Sequence, residues 1–151
     1  MIYFHVDLNH GLSRILFLST MKIKSGGLPM KYYSISEAAA QFNIPESTLR
    51  YYEKKGLLPL IERDGAGRRL FSEDQMALLG TVICLKNTNM PISGIRQYID
   101  WVIEGDSTIA LRLEMMKNHK QAVLAEISLM TESLEGIDYK ISRYTERIQD
   151  D

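Results

Sequence analysis

The spacing of apolar and polar positions along this chain changes several times, and each change predicts an element. In "SISEAAAQF" (residues 34–42), Ser34 precedes Glu37 by three residues, the spacing of a capping box. Ala38, Ala39, Ala40 and Phe42 follow, which predicts a short helix. Asn43-Ile44-Pro45 breaks it, and Pro45 suits the first turn of a second helix. That helix carries Thr48 to Glu53 and stops at Gly56, a residue at ease in the left-handed backbone of a helix end. Two short helices joined by a tight turn make a helix-turn-helix candidate. In "LLPLIERDGAGRRLF" (residues 57–71), apolar Leu58–Ile61 and Leu70–Phe71 flank Asp64-Gly65-Ala66-Gly67, which predicts a small β-hairpin. Ser72 with Gln75 is a second capping-box signal. It opens a helix through Leu78, Leu79, Val82, Ile83 and Leu85. "NTNMP" ends that helix, and Pro91 opens the next, through Ile92, Ile95, Tyr98, Ile99, Val102 and Ile103. "EGDS" (residues 104–107) reads as a turn with Asp106 or Ser107 as cap.

Beyond that turn one pattern runs almost to the end. Ile109, Leu113, Met116, Lys120, Val123, Ile127, Met130, Leu134, Ile137, Ile141, Tyr144 and Ile148 alternate spacings of four and three, the seam of a coiled coil. At 1.5 Å per residue the helix projects roughly 60 Å. The chain holds no second helix of that length, so a symmetric homodimer is the simplest cover. A self-buried bundle with the shorter helices is the alternative. Lys120 is the one charged seam position and is expected to help set register or orientation.

Composition narrows the picture. The chain has 151 residues, 45% hydrophobic and 25% charged, as in folded soluble proteins, and its net charge is -1. The charge is unevenly placed. Between Ser47 and Leu70 six bases face three acids, a balance of +3, whereas from Asp100 onward eleven acids face six bases, a balance of -5. Cys84 is the only cysteine, which excludes an intrachain disulfide and a multi-thiolate metal site and fits a reducing cytoplasm. His5, His10 and His119 lack metal-ligand spacing, so no metal and no cofactor is expected. No apolar run approaches the ~20 residues of a membrane span. Residues 1–29 show no sustained periodicity, and "SGGLPM" resembles a translated ribosome-binding site before Met30. They are expected to be a disordered extension or a misassigned start.

Duplex DNA demands cations for its phosphates, an element that fits the major groove and donors that reach base edges. The second helix supplies Ser47, Thr48, Arg50, Tyr51 and Lys54, and the hairpin adds Arg63, Arg68 and Arg69. A solvated helix face with local Glu46–Arg50 pairing is the plainer reading of the same residues. Tyr51 and Tyr52 cannot face the same way on a helix, so one is expected to pack inward and the other to reach DNA.

The string "YYSISEAAAQFNIPESTLRYYEKKGLL", followed by Gly67-Arg68-Arg69-Leu70-Phe71, resembles the N-terminal domain of MerR-family transcriptional regulators over roughly residues 31–104. The resemblance implies a mainly α fold: a winged helix-turn-helix domain (30–104) followed by a long helix (105–151) that dimerises as an antiparallel coiled coil. It implies a cytoplasmic, non-enzymatic homodimer on double-stranded promoter DNA with an over-long spacer. An effector makes the dimer distort that DNA and realign it for RNA polymerase. Carried onto this chain, the DNA contacts are Ser36, Thr48, Arg50, Tyr51, Tyr52 and Arg69, to which the reading of the helix and hairpin residues adds Ser47, Lys54 and Arg68. The family pattern has an aromatic at the position of Arg68, which suggests a phosphate contact there in place of packing, and a glycine is common at the position of Asn89. "ICLKNTNMPI" resembles the branch that senses aldehydes or other thiol stress through a single cysteine, here Cys84, which falls on the face opposite Leu78, Leu79, Val82 and Leu85. The rival from another class is a coiled-coil protein-interaction module without DNA binding. No Gly-rich phosphate loop or nucleophile–base pair suggests an enzyme.

Overall fold

A computed structural model of the protein describes residues 31–149, so the expectations for residues 1–29, His5 and His10 fall outside the described residues. The chain divides into two compact units between Ile99 and Asp100. In the first, strand β1 (Tyr32–Ser34) leads into helix α1 (Ile35–Phe42) and helix α2 (Glu46–Lys54). Strands β2 (Glu62–Arg63) and β3 (Arg69–Ser72) form the hairpin, and helix α3 (Glu73–Asn87) follows; helix α4 (Ile92–Glu104) begins in this unit and runs across the division. Pro45 sits at the N-cap of α2, with ψ 146°, one position earlier than expected.

Three helices close in the same way. The N–H of Asn43 donates to the Ala40 carbonyl and that of Ile44 to Ala39, at 3.2 and 3.1 Å, ending α1. Gly56 to Glu53 and Leu57 to Tyr52, at 3.0 and 2.9 Å, repeat the pattern at α2; Asn89 to Lys86 and Met90 to Leu85, at 3.1 and 2.9 Å, repeat it at α3. In each case the first residue of the pair is left-handed, with φ 52°, 73° and 61°. This double closure satisfies two orphan carbonyls and turns the chain so that the next residue points inward. Leu57 and Met90 are buried accordingly. Asn89 thus does the work of the glycine common at its position.

The start signals hold with one difference. Ser34 and Glu37 form the full capping box, with the Ser34 N–H donating to Glu37 Oε2 at 2.7 Å. At α3 only half forms. Ser72 Oγ accepts the Gln75 N–H at 3.2 Å, but the Gln75 side chain turns away and donates to the Pro59 carbonyl at 2.7 Å, anchoring the loop after α2.

Fully buried Ala38, Leu49, Leu57, Leu58, Phe71, Leu79, Val82, Ile95 and Ile99 make the core of this unit. Each larger side chain contributes about 1.5–3 kcal/mol by leaving water. Both α1 and α3 pack on β3, where Phe71 is the buried position. The hairpin expected from the sequence becomes a three-stranded antiparallel sheet in the order β1-β3-β2, with Tyr33 opposite Phe71 and Arg63 opposite Arg69. The unexpected strand β1 is too short to show a period. It is tied across the sheet by the Tyr32 hydroxyl, which donates to Glu62 at 3.0 Å. That hydrogen bond to Glu62 is the main reason the pKa of the phenol is raised.

The hairpin loop is built on Asp64. Its Oδ1 accepts the N–H groups of Ala66 and Arg68 at 3.0 and 2.8 Å, and Oδ2 accepts Arg68 Nε at 2.7 Å. Gly67 closes the loop with φ 77°, the left-handed position of a three-residue hairpin.

In the second unit, the turn 104–107 is not capped by Asp106 or Ser107. A single 3-10 turn (Asp106–Thr108) carries the chain into helix α5 (Ile109–Gln149), and the buried Thr108 hydroxyl donates to the carbonyls of Trp101 and Gly105. Helix α5 has 41 residues and buries none of them fully. Among the expected seam residues, Leu113, Ile127, Met130, Leu134, Ile137 and Ile141 are exposed, while Met116 and Val123 are half-buried. No helix among the described residues is long and apolar enough to cross a membrane.

Gly56→Ala is expected to lower stability by about 1 kcal/mol through left-handed strain, because the added Cβ would meet Arg96 only at an ordinary 3.5 Å. Urea unfolding midpoints against the wild type measure this, and Gly65→Ala, with nothing within 4 Å, serves as the control. The backbone and side-chain bonds from Arg68 hold the Asp64 carboxyl below its ordinary pKa. Its contribution to the loop is therefore complete above the unfolded value and disappears as pH falls through the lower, folded one. An NMR titration of the Ala66 and Arg68 amides is expected to show a midpoint below that of an unperturbed aspartate.

Candidate nucleic-acid interface

Helix α2 is polar on one side and apolar on the other. Leu49 and Tyr52 are buried, whereas Ser47, Arg50, Tyr51 and Lys54 are exposed. Positions 47, 50, 51 and 54 recur at the three- and four-residue steps that place side chains on one helical face. Burial of Leu49 and Tyr52 therefore turns that face outward as a unit. Thr48 lies at its edge, half-buried.

The two tyrosines separate as their spacing requires. Tyr52 is 7% exposed and Tyr51 44% exposed, their ring centroids 6.0 Å apart at 53°. Burial raises the Tyr52 pKa, whereas Tyr51 stands in solvent with Lys55 Nζ 5.6 Å over its ring. Tyr52, counted among the expected DNA contacts, is thus the tyrosine that packs inward. Arg50 pairs with Glu46 at 2.7 Å, its side chain half exposed. Such an i,i+4 surface pair is worth only about 0.3–0.5 kcal/mol, so the guanidinium can exchange Glu46 for a stronger anion at little cost.

The wing arginines differ from one another. Arg68 lies at the tip, its side chain 81% exposed and its ion pair made to Asp64. Packing is not its role. Arg69 is the opposite case: its side chain is 25% exposed, and Nε donates to Glu53 Oε2 at 2.6 Å. Arg63 Nη2 reaches the other oxygen of Glu53 at 3.2 Å, and its Nη1 donates to the Gly67 carbonyl at 3.0 Å. One carboxylate on α2 therefore holds both wing strands.

Sequence reasoning did not assign Glu53 or the structural part of Arg63 and Arg69. A signal existed in the hairpin itself. Register places Arg63 opposite Arg69, and like charges across an antiparallel pair are destabilising unless an acid joins them. Ser36 is exposed in the first turn of α1, with its hydroxyl 3.1 Å from that of Ser34. Cys84 is a free, exposed thiol on α3, away from buried Met76, Leu79, Val82 and Leu85. Among the described residues no group of three His, Cys, Asp or Glu side chains is arranged to hold a metal.

Comparison with known proteins agrees with this geometry. Residues 33–100 match the model of the MerR HTH family regulatory protein. An HTH-type transcriptional regulator of Haemophilus influenzae is 36% identical over 112 residues, which is 74% of this chain and 83% of that protein. Among solved structures, a MerR family transcriptional regulator from Bacillus thuringiensis is 42% identical with a TM-score of 0.70, the match covering 75% of this chain and 99% of that one. HiNmlR, described as a MerR family regulator lacking the sensor domain and solved bound to promoter DNA, is 34% identical with a TM-score of 0.71, over 77% of this chain and 92% of its own. With its winged helix-turn-helix fold and these relatives, the chain belongs to the MerR family of DNA-binding transcriptional regulators.

Proposed function

We propose that the protein acts in the cytoplasm as a homodimer on a promoter with an over-long spacer, distorting that DNA in response to an effector so that RNA polymerase can use it. The observation that carries the reading is the single outward face of α2, formed by Ser47, Arg50, Tyr51 and Lys54. A helix face this exposed and cationic, beside a hairpin with Arg68 at its tip, suits the major groove with the hairpin on the flanking backbone. Thr48 and Ser36 complete the contact set. Tyr52 and Arg69 support it from within, Tyr52 through the core and Arg69 through Glu53. HiNmlR, the relative solved on promoter DNA, supports this use of the fold.

In this reading residues 30–104 bind DNA and 105–151 dimerise. The exposed seam of α5, from Leu113 to Ile141, is covered by the same seam of a second copy running antiparallel. The effector is a thiol-reactive electrophile that modifies Cys84, an exposed thiol on the side of α3 away from its buried residues.

A mobility-shift series on the DNA upstream of the protein's own gene tests all three parts. The wild type is expected to bind with steep salt dependence, and Arg50→Ala to weaken binding and lower the salt slope by about 1. Leu134→Glu is expected to sediment as a monomer and to lose most affinity. Promoter distortion by electrophile, read by footprinting, is expected to vanish in Cys84→Ser; an unaltered response in that variant sinks the sensor assignment. No binding even at low salt would favour an interaction module instead.

A further inference from the structure

A carboxylate in a surface that must meet a polyanion ordinarily opposes binding, because it repels the phosphates the cations attract. Glu53 is such a carboxylate, one residue from Lys54 and two from Tyr51. Its two oxygens are divided between Arg69 at 2.6 Å and Arg63 at 3.2 Å, and its side chain is 25% exposed. Those arginines stand opposite each other on β2 and β3, so Glu53 both relieves their repulsion and joins the hairpin to the flank of α2. Charge-assisted bonds to one carboxylate fix direction as well as distance. Arg63 extends the tie to the loop by its bond to the Gly67 carbonyl, next to Arg68 at the tip.

We infer that Glu53 is the positioning residue for DNA recognition: by holding Arg63 and Arg69 it sets the hairpin at the angle to α2 at which Arg68 and the outward face of α2 engage one duplex together. This rests on the DNA-binding reading above. Its consequence runs against simple electrostatics. Removing an acid and releasing two arginines should tighten binding to DNA if charge alone mattered. Loss of the hairpin's angle should weaken it.

The test uses the full chain and a duplex of the DNA upstream of its own gene, with dissociation constants measured across salt concentrations and a thermal melt run beside each variant. Glu53→Gln is expected to bind about tenfold more weakly and with a salt slope lower by about 1, as the phosphate contact at the wing tip is lost. Glu53→Asp keeps the charge but shortens the arm by one methylene. It is expected to fall between Glu53→Gln and the wild type. In a chain already carrying Arg63→Gln and Arg69→Gln, Glu53→Gln is expected to cause no further loss, because the residue acts through those two. Equal or tighter binding by Glu53→Gln would overturn the inference while leaving the DNA-binding reading in place, and so would wild-type binding by Glu53→Asp. A further loss in the double-arginine background would overturn it as well. A wild type that does not bind the duplex at low salt overturns the reading and the inference together.

Discussion

The direction of the chain in the N-terminal unit depends on one repeated constraint: a helix can be reversed abruptly only if its last carbonyls find donors. Asn43, Gly56 and Asn89 meet that need by adopting the left-handed conformation, and in each case the following N–H reaches back to a carbonyl of the final turn. The reversal at Gly56 sends Leu57 and Leu58 straight from the end of α2 into the core. It also determines which side of α2 remains wet. Burial of Leu49 and Tyr52 on one side leaves Ser47, Arg50, Tyr51 and Lys54 on the other, without any interaction designed for that face. The exposed surface is therefore set by the core beneath it.

The polar ties are arranged around the same helix. Short surface pairs such as Arg50–Glu46 are individually weak and exchangeable. The half-buried Glu53 differs because two guanidinium groups share it and because its partners lie on separate strands. It connects elements distant in sequence, which a local pair cannot do. Asp64 plays the corresponding local part at the loop, holding three donors within four residues. One acid shapes the tip and the other aims it.

The second unit follows a different rule. Helix α5 carries apolar side chains along its length yet buries none fully, so most of its apolar area gains little from folding of the helix alone. Its regular alternation of four and three is suited to a second helix of the same kind, which is what the proposed antiparallel pairing supplies.

Much of this was legible in the order of residues. Ser34 with Glu37, the left-handed stop at Gly56, the Asp64–Gly67 loop and the seam from Ile109 onward depend on interactions within a few residues, or on a period that no tertiary contact can hide. The outward face of α2 was legible for the same reason, since helical spacing alone groups its members. Other features required the folded chain. Strand β1 has three residues and exists because β3 offers it a partner. The second arm of the Ser72 cap is lost because Gln75 finds the Pro59 carbonyl nearer to hand. Helical spacing required Tyr51 and Tyr52 to diverge, but only packing decided that Tyr52 is the inner one. The roles of Arg69 and Glu53, sixteen residues apart, depend on where the hairpin lands against α2. Local chemistry and periodicity were therefore written in the sequence, whereas contacts across long sequence separations were decided by tertiary packing, because only a folded chain brings such side chains within hydrogen-bonding distance.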